Sequence, residues 1–142
     1  MASSEQGSTE RDLVDPSPEA VRELLRNLQD LPALSSSAFA HHPDIDRIIR
    51  QGGLIDRSET RGLALSMVVE DIIRTGVSAS GPEQSVPWSI LLMRYVYRMS
   101  ISRTAMELHI SERSVARKET DGLVLFGRAL IASLMPAPAE EP

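Results

Sequence analysis

The sequence predicts an all-α protein, and three observations predict it. Apolar residues recur at three- and four-residue spacing in segment after segment. No stretch of any length alternates apolar and polar residues as a half-buried strand does. Capping residues or prolines precede the periodic segments, and glycine or proline follows them. At 142 residues the chain has about the length of one domain and can bury a single helical core.

Residues 1–15 are rich in Ser, Glu and Gly and too poor in apolar side chains to offset the entropy of ordering, so they read as a flexible arm. Ser17-Pro18-Glu19 is a helix start: a capping hydroxyl, a proline where no amide bond is lost, and an acid at the positive end of the dipole. Val21, Leu24, Leu25, Leu28 and Leu31 continue it as one amphipathic helix that stops at Pro32. Its default role is core, with a partner-binding or dimerising helix as the functional alternative. The serines at 35–37 form a turn and cap before a short apolar piece, Ala38 to Ala40. Pro43-Asp44 starts a short helix carrying Ile45, Ile48 and Ile49, which Gly52-Gly53 ends.

Ser58 opens a further helix through Leu63, Met67, Val68 and Ile72 up to Gly76, although Arg61 stands where a full capping box has an acid. This helix is apolar on more than one side, which places it centrally. Residues 16–76 thus form a helical N-terminal half. Residues 77–86, with their serines, Gly81 and Pro82, read as a linker.

Residues 87–135 begin with an amphipathic helix from Pro87 to Arg98, with Trp88, Leu91, Leu92, Tyr95 and Val96 on its apolar face. Core anchoring is the default for Trp88 and Tyr95. The segment Met99-Ser100-Ile101-Ser102 breaks that helix, and Ser102 is the expected cap of a short helix from Arg103 to Leu108. His109-Ile110 makes a tight turn, and Ser111 caps a third helix that begins Glu112-Arg113-Ser114-Val115. Two short helices joined by a tight turn, the second rich in Arg and Ser, have the helix-turn-helix layout. The expected fold is therefore an N-terminal helical bundle packed with a C-terminal helix-turn-helix that ends in a long helix.

In that layout Ala105 is small because the two helices cross there. Leu108 and Ile110 close the wedge between them, and Val115 anchors the second helix to the core. The first turn of that helix then presents Glu112, Arg113, Ser114, Ala116 and Arg117 to a major groove. Arg113, Ser114 and Arg117 are the candidates for reading base edges, while Arg98 and Arg103 are candidates for holding phosphate. Arg94 is a further phosphate candidate, and each of Arg94, Arg98 and Arg103 is as readily a solvated surface charge. Leu123, Phe126, Leu130 and Leu134 carry an apolar stripe beyond what DNA reading requires, for packing on the N-terminal half or for a dimer seam. Residues 136–142 read as a loose tail.

Charge supports the division. The chain carries a net −5, which argues against a general nucleic-acid coat. Residues 1–84 hold 8 Arg or Lys against 14 Asp or Glu, whereas residues 85–135 hold 7 against 4. A basic stretch inside an acidic chain suits a small DNA-reading module beside a partner-binding or regulatory part.

The stretch from Thr104 to Leu123, TAMELHISERSVARKETDGL, resembles the fourth conserved region of bacterial sigma factors and its relatives among small regulators. The shared features are an Ala, a Leu, a turn, an Ile-Ser cap, a Val and a following Leu, with a preceding helix similar to Leu91-Leu-Met-Arg-Tyr95; the resemblance covers roughly residues 88–130. It implies a sequence-specific transcriptional regulator whose recognition helix meets promoter DNA through Glu112, Arg113, Ser114 and Arg117. Ser111 at the cap and Lys118, about two turns on, are further candidate DNA contacts. The implied partner is double-stranded DNA; RNA polymerase is a second candidate partner and a homodimer a candidate assembly. Two positions depart from the pattern: His109 stands where the family's turn usually has Gly, and Lys118 where an apolar residue is common.

Other chemistries are poorly supported. His41-His42 with Asp44 and Asp46 superficially suggests metal ligands, but neighbouring histidines on a helix point in different directions, so no metal or cofactor is expected. Neither a nucleophile elbow nor a Gly-rich phosphate loop occurs, and no enzyme is expected. The chain has no cysteine, which fits a reducing compartment. No apolar run reaches the ~18–20 residues of a membrane span, and the first residues lack an apolar signal core, so a soluble, cytoplasmic protein is expected. The rival reading is an interaction protein whose helix-turn-helix binds polymerase or another protein instead of DNA, kept open by Glu112 and Glu119 beside the arginines.

Overall fold

The computed structural model describes residues 16–53 and 59–134, and all of their regular structure is helical. The arm at residues 1–15, the tail at residues 136–142 and the expected cap Ser58 lie outside the described residues.

Helix α1 (Pro18–Arg26) starts as its sequence dictates, with the Ser17 hydroxyl accepting the amide of Ala20 at 3.1 Å. It ends a turn earlier than expected. Pro32 does not stop this helix; it sits in the first turn of α2 (Leu31–Ser35), whose cap is Asp30, accepting the amide of Ala33. A proline in a first turn loses no hydrogen bond, so the same residue serves as a start as readily as a stop. Ser37 caps a 3₁₀ turn (Ala38–His41) that buries Phe39 and Ala40. In α3 (Pro43–Gln51) the cap is His42, whose Nδ1 accepts the amide of Asp44 at 3.0 Å. Gly53 follows at φ +69°, a conformation that strains any side chain.

Helix α4 (Thr60–Ala79) is the central element and buries Ala64, Leu65, Val69, Ile72 and Ile73. It does not end at Gly76 as the sequence suggests, and the connection to α5 (Ser85–Leu91) shrinks to residues 80–84. Gly76 instead marks a close approach. A β-carbon there falls 2.1 Å from the Trp88 ring, so α4 runs on beneath the indole. Half of the linker expected over residues 77–86 is thus helix, and the connection is residues 80–84.

Helix α5 passes into a π turn (Leu92–Val96), closed by Arg98 at φ +62° with the amide of Met99 on the carbonyl of Met93. Helix α6 (Ile101–Leu108) is capped by Ser100, not Ser102: the Ser100 hydroxyl accepts the amide of Arg103 at 3.0 Å. Ser100 has the extended backbone that a cap requires, whereas Ser102 is already inside the first turn. The last helix, α7 (Glu112–Leu134), spans 23 residues.

One core joins the two halves. Leu123, Phe126, Leu130 and Leu134 of α7 are buried in the same cluster as Val21, Leu25, Leu65, Ile73 and Trp88. The apolar stripe on α7 is therefore consumed within the chain, and those four side chains form no dimer seam. Among the described residues no helix is long and apolar enough to cross a membrane.

Gly76→Ala tests the indole contact. Helix propensity alone favours alanine by about 1 kcal/mol. Overpacking against the ring reverses the sign, for an expected net loss of roughly 1–2 kcal/mol in chemical denaturation. In a Trp88→Leu background the same change is expected to be neutral or stabilising.

Candidate nucleic-acid interface

The candidate interface is built on a small second core. Ile90 of α5, Ala105 of α6 and Val115 of α7 are buried together, with Val86, Ile101, Leu108 and Ile110 packed around them. These are the residues whose size and spacing in the sequence required a crossing, a wedge and an anchor. Helices α6 and α7 meet at Ala105, where a larger side chain would hold them apart.

The turn between them is a Schellman closure. His109 adopts the left-handed conformation (φ 59°, ψ 41°), the amide of Ile110 reaches the carbonyl of Ala105 at 3.1 Å, and that of His109 reaches Met106 at 3.3 Å. Histidine tolerates this region better than most residues but at a cost glycine avoids. Ser111 then caps α7, its hydroxyl accepting the amide of Ser114 at 3.0 Å and donating to the Ser114 hydroxyl at 3.1 Å.

Burial along α7 separates two sides. Val115, Glu119, Leu123, Phe126 and Leu130 form the buried stripe. Glu112, Arg113, Ala116 and Arg117 are exposed on the first two turns, and Ser111 is exposed at the cap. Arg113 and Arg117, one turn apart, share a face, and neither guanidinium is held in a hydrogen bond or ion pair among the described residues. Ser114 and Lys118 are only half exposed, so they flank this face instead of forming its centre. Exposed Arg103, in the first turn of α6, pairs loosely with Glu107 at 4.0 Å.

Two basic residues are engaged elsewhere. Arg98 donates to Oε1 of Gln29 at 2.8 Å, a contact with the segment between α1 and α2. Arg94, half-buried, donates to Glu119 Oε1 at 3.2 Å and to the carbonyl of Met99 at 3.2 Å. It is a structural cation, not solvated surface charge.

Glu119 is the residue that sequence reasoning misplaced. It does not stand beside the arginines of the exposed face. It lies two positions beyond Arg117, about 200° round the helix, and is buried. Its carboxylate accepts the Tyr95 hydroxyl at 2.6 Å, receives Arg94, and pairs with Arg22 of α1 at 3.6 Å. The π turn permits this, because its wider turn brings the consecutive side chains Arg94 and Tyr95 toward one acceptor. Burial, then the hydrogen bond to Glu119, pushes the Tyr95 hydroxyl up to about 12. The signal available in sequence was the placement of Glu119 four residues after Val115 and four before Leu123, in the apolar register.

The histidine and aspartate cluster has local roles. His42 caps α3, Asp44 pairs with Arg47, and Asp46 pairs with Arg61. Among the described residues no group of His, Asp and Glu is arranged to hold a metal ion. In comparisons with known proteins, no protein-family model, curated protein or solved structure matches this chain.

Two outcomes follow from this geometry. Replacing His109 by glycine removes about 1–2 kcal/mol of left-handed strain against about 0.5–1 kcal/mol of added chain entropy, so a small rise in thermal stability is expected. Tyr95→Phe leaves a buried carboxylate short of a donor and is expected to cost roughly 1.5–3 kcal/mol at neutral pH. The native hydroxyl keeps its proton above pH 10 while the unfolded one loses it, so the folded state binds more protons there. Wild-type stability therefore falls as pH rises from about 10 toward the folded value of about 12, and Tyr95→Phe removes that part of the slope in denaturation curves taken across the range.

Proposed function

We propose that this protein is a sequence-specific DNA-binding regulator of transcription that places the N-terminal turns of α7 in a major groove. The observation that carries the reading is the pair Arg113 and Arg117, exposed and unpartnered on a helix braced from behind by Val115, Ala105 and Ile90.

The two guanidinium groups are the base readers, since a fork of N–H donors matches guanine O6 and N7. Ser114 shares its hydroxyl with the cap and so contributes less. Ser111 and the first amides of α7 approach the backbone at a helix N-terminus, where anions are favoured. Arg103 and Lys118 flank the reading face as phosphate contacts. Arg98, turned toward Gln29, is the weakest of the phosphate candidates. Glu112 restricts the choice of base, because an acceptor suits cytosine N4 and repels phosphate. Ala116 leaves room for the duplex between the arginines.

One observation favours the alternative, in which the same face docks RNA polymerase or another protein. Met106 of α6 is 71% exposed, and an exposed flexible apolar side chain suits a protein surface better than a phosphate backbone.

Selection of bound sequences from random DNA at controlled salt separates the two. Arg113→Ala or Arg117→Ala is expected to weaken binding to the selected site by roughly 5- to 150-fold, equivalent to about 1–3 kcal/mol, and to relax the preference at one position. Arg128→Ala, on an exposed later turn of α7, is expected to leave it unchanged. Equal binding by wild type and both variants sinks the assignment of the reading face; polymerase copurification with no DNA shift transfers the function to the alternative.

A further inference from the structure

A cleft of about 350 Å³ lies where the N-terminal half meets the start of α6, on the side of α7 that carries Glu119 and away from Arg117. Its walls include Arg26, Arg94, Tyr95, Arg98 and Ser100, and no acidic residue lines it. We propose that this cleft binds a small phosphorylated molecule, of the diphosphate or nucleotide class, and thereby ties the N-terminal half to the α5–α7 unit.

Several independent features converge there. Arg22 and Arg94 pair with one carboxylate, Glu119, and Arg26 and Arg98 join Arg94 in lining the cleft. Arg22 and Arg94 share that carboxylate, so the positive charge of Arg26 and Arg98 is not offset by any carboxylate among the described residues. Arg26 has no hydrogen-bond or ion-pair partner for its guanidinium among the described residues. Arg98 occupies a left-handed backbone position (φ 62°) where glycine is unstrained, so a guanidinium is held at the rim against a conformational cost. Its present acceptor, the neutral Gln29 side chain, is a weaker partner than a phosphate oxygen. Ser100, at the mouth, caps α6, whose first-turn amides add a partial positive charge to the same wall.

The shape favours a compact ligand over a duplex. A duplex meets protruding side chains, whereas these arginines border a concavity whose volume falls within the range of ligand pockets. Leu25 and the Tyr95 ring supply apolar wall beside the cations, which suits a ligand with a flat or carbon-bearing part next to its phosphates. A ligand spanning Arg26 of α1 and Arg98 after the π turn bonds to both halves and stabilises their packing by mass action. Binding in this cleft does not require that α7 read DNA.

The test uses the full chain at neutral pH and constant ionic strength maintained with KCl. Sodium pyrophosphate and ADP are titrated separately by calorimetry, with melting temperature recorded in parallel. Saturable one-to-one binding of either is expected, with a melting temperature that rises with ligand concentration. Arg26→Gln and Arg98→Gly are each expected to weaken it about tenfold or more, the worth of one hydrogen bond to a charged group. Arg26→Gln alters only an exposed side chain, and Arg98→Gly relieves backbone strain, so both unliganded variants are expected to stay folded by circular dichroism. Arg113→Ala and Arg117→Ala are expected to leave pyrophosphate and ADP affinity unchanged. Absence of saturable binding, binding indifferent to Arg26→Gln and Arg98→Gly, or binding abolished by Arg113→Ala overturns the proposal. Loss of DNA affinity in the Arg26→Gln/Arg98→Gly double variant without pyrophosphate or ADP binding to the wild type also overturns it and assigns these arginines to the DNA backbone.

Discussion

The carboxylate of Glu119 is the constraint around which the rest of the molecule is arranged. Taking an ionised carboxylate out of water costs several kcal/mol, and the structure offsets that cost with the Tyr95 hydroxyl and two guanidinium groups. Those partners come from α1 and the π turn, while the carboxylate belongs to α7. The node therefore fixes three elements against one another with directional bonds. Apolar packing alone, which tolerates sliding and rotation, does not specify the rotation of α7 so closely. The π turn belongs to the same constraint, since an unbroken α-helix would spread Arg94 and Tyr95 further round its circumference.

Rotation of α7 matters because the helix serves two cores. Its first turns close the small cluster of Ile90, Ala105 and Val115, and its later turns fill the main cluster through Leu123, Phe126, Leu130 and Leu134. Glu119 lies at the boundary between them. Both clusters bind the same side of one rigid helix, so the opposite side is left in solvent along its whole length, Arg113 and Arg117 included. The candidate reading face is thus a by-product of how the core is filled. The same arrangement places the arginine-lined cleft at the joint between the halves, where a bound ligand has leverage on their packing.

How much of this was legible in the sequence varied with the range of the interaction. The caps at Ser17, Ser37 and Ser111 and the turn at His109 are local, set by a few neighbouring residues, and their chemistry names them. Ala105, Leu108, Ile110 and Val115 were legible as a packing unit because the residues of a tight turn between two short helices constrain one another in size. Pro32 and Gly76 were misread for one shared reason. Proline and glycine signal that something special happens to the backbone, but whether a helix starts, stops or admits an indole depends on what lies alongside. Ser102 was the expected cap of α6, and Ser100 takes that role because it has the extended backbone a cap requires while Ser102 is already helical.

By itself, then, the sequence determined the helical class, most of the local starts and stops, and which side of the last helix is apolar, because periodicity and capping act over a single turn. Tertiary structure alone decided that Glu119 faces inward while Arg113 and Arg117 face outward, that the stripe on α7 is spent within one chain, and that distant arginines share a cleft. Those outcomes depend on residues far apart in sequence, such as Arg22 with Glu119 and Gln29 with Arg98, and a charge shows which partner it has chosen only once the chain has brought the two together.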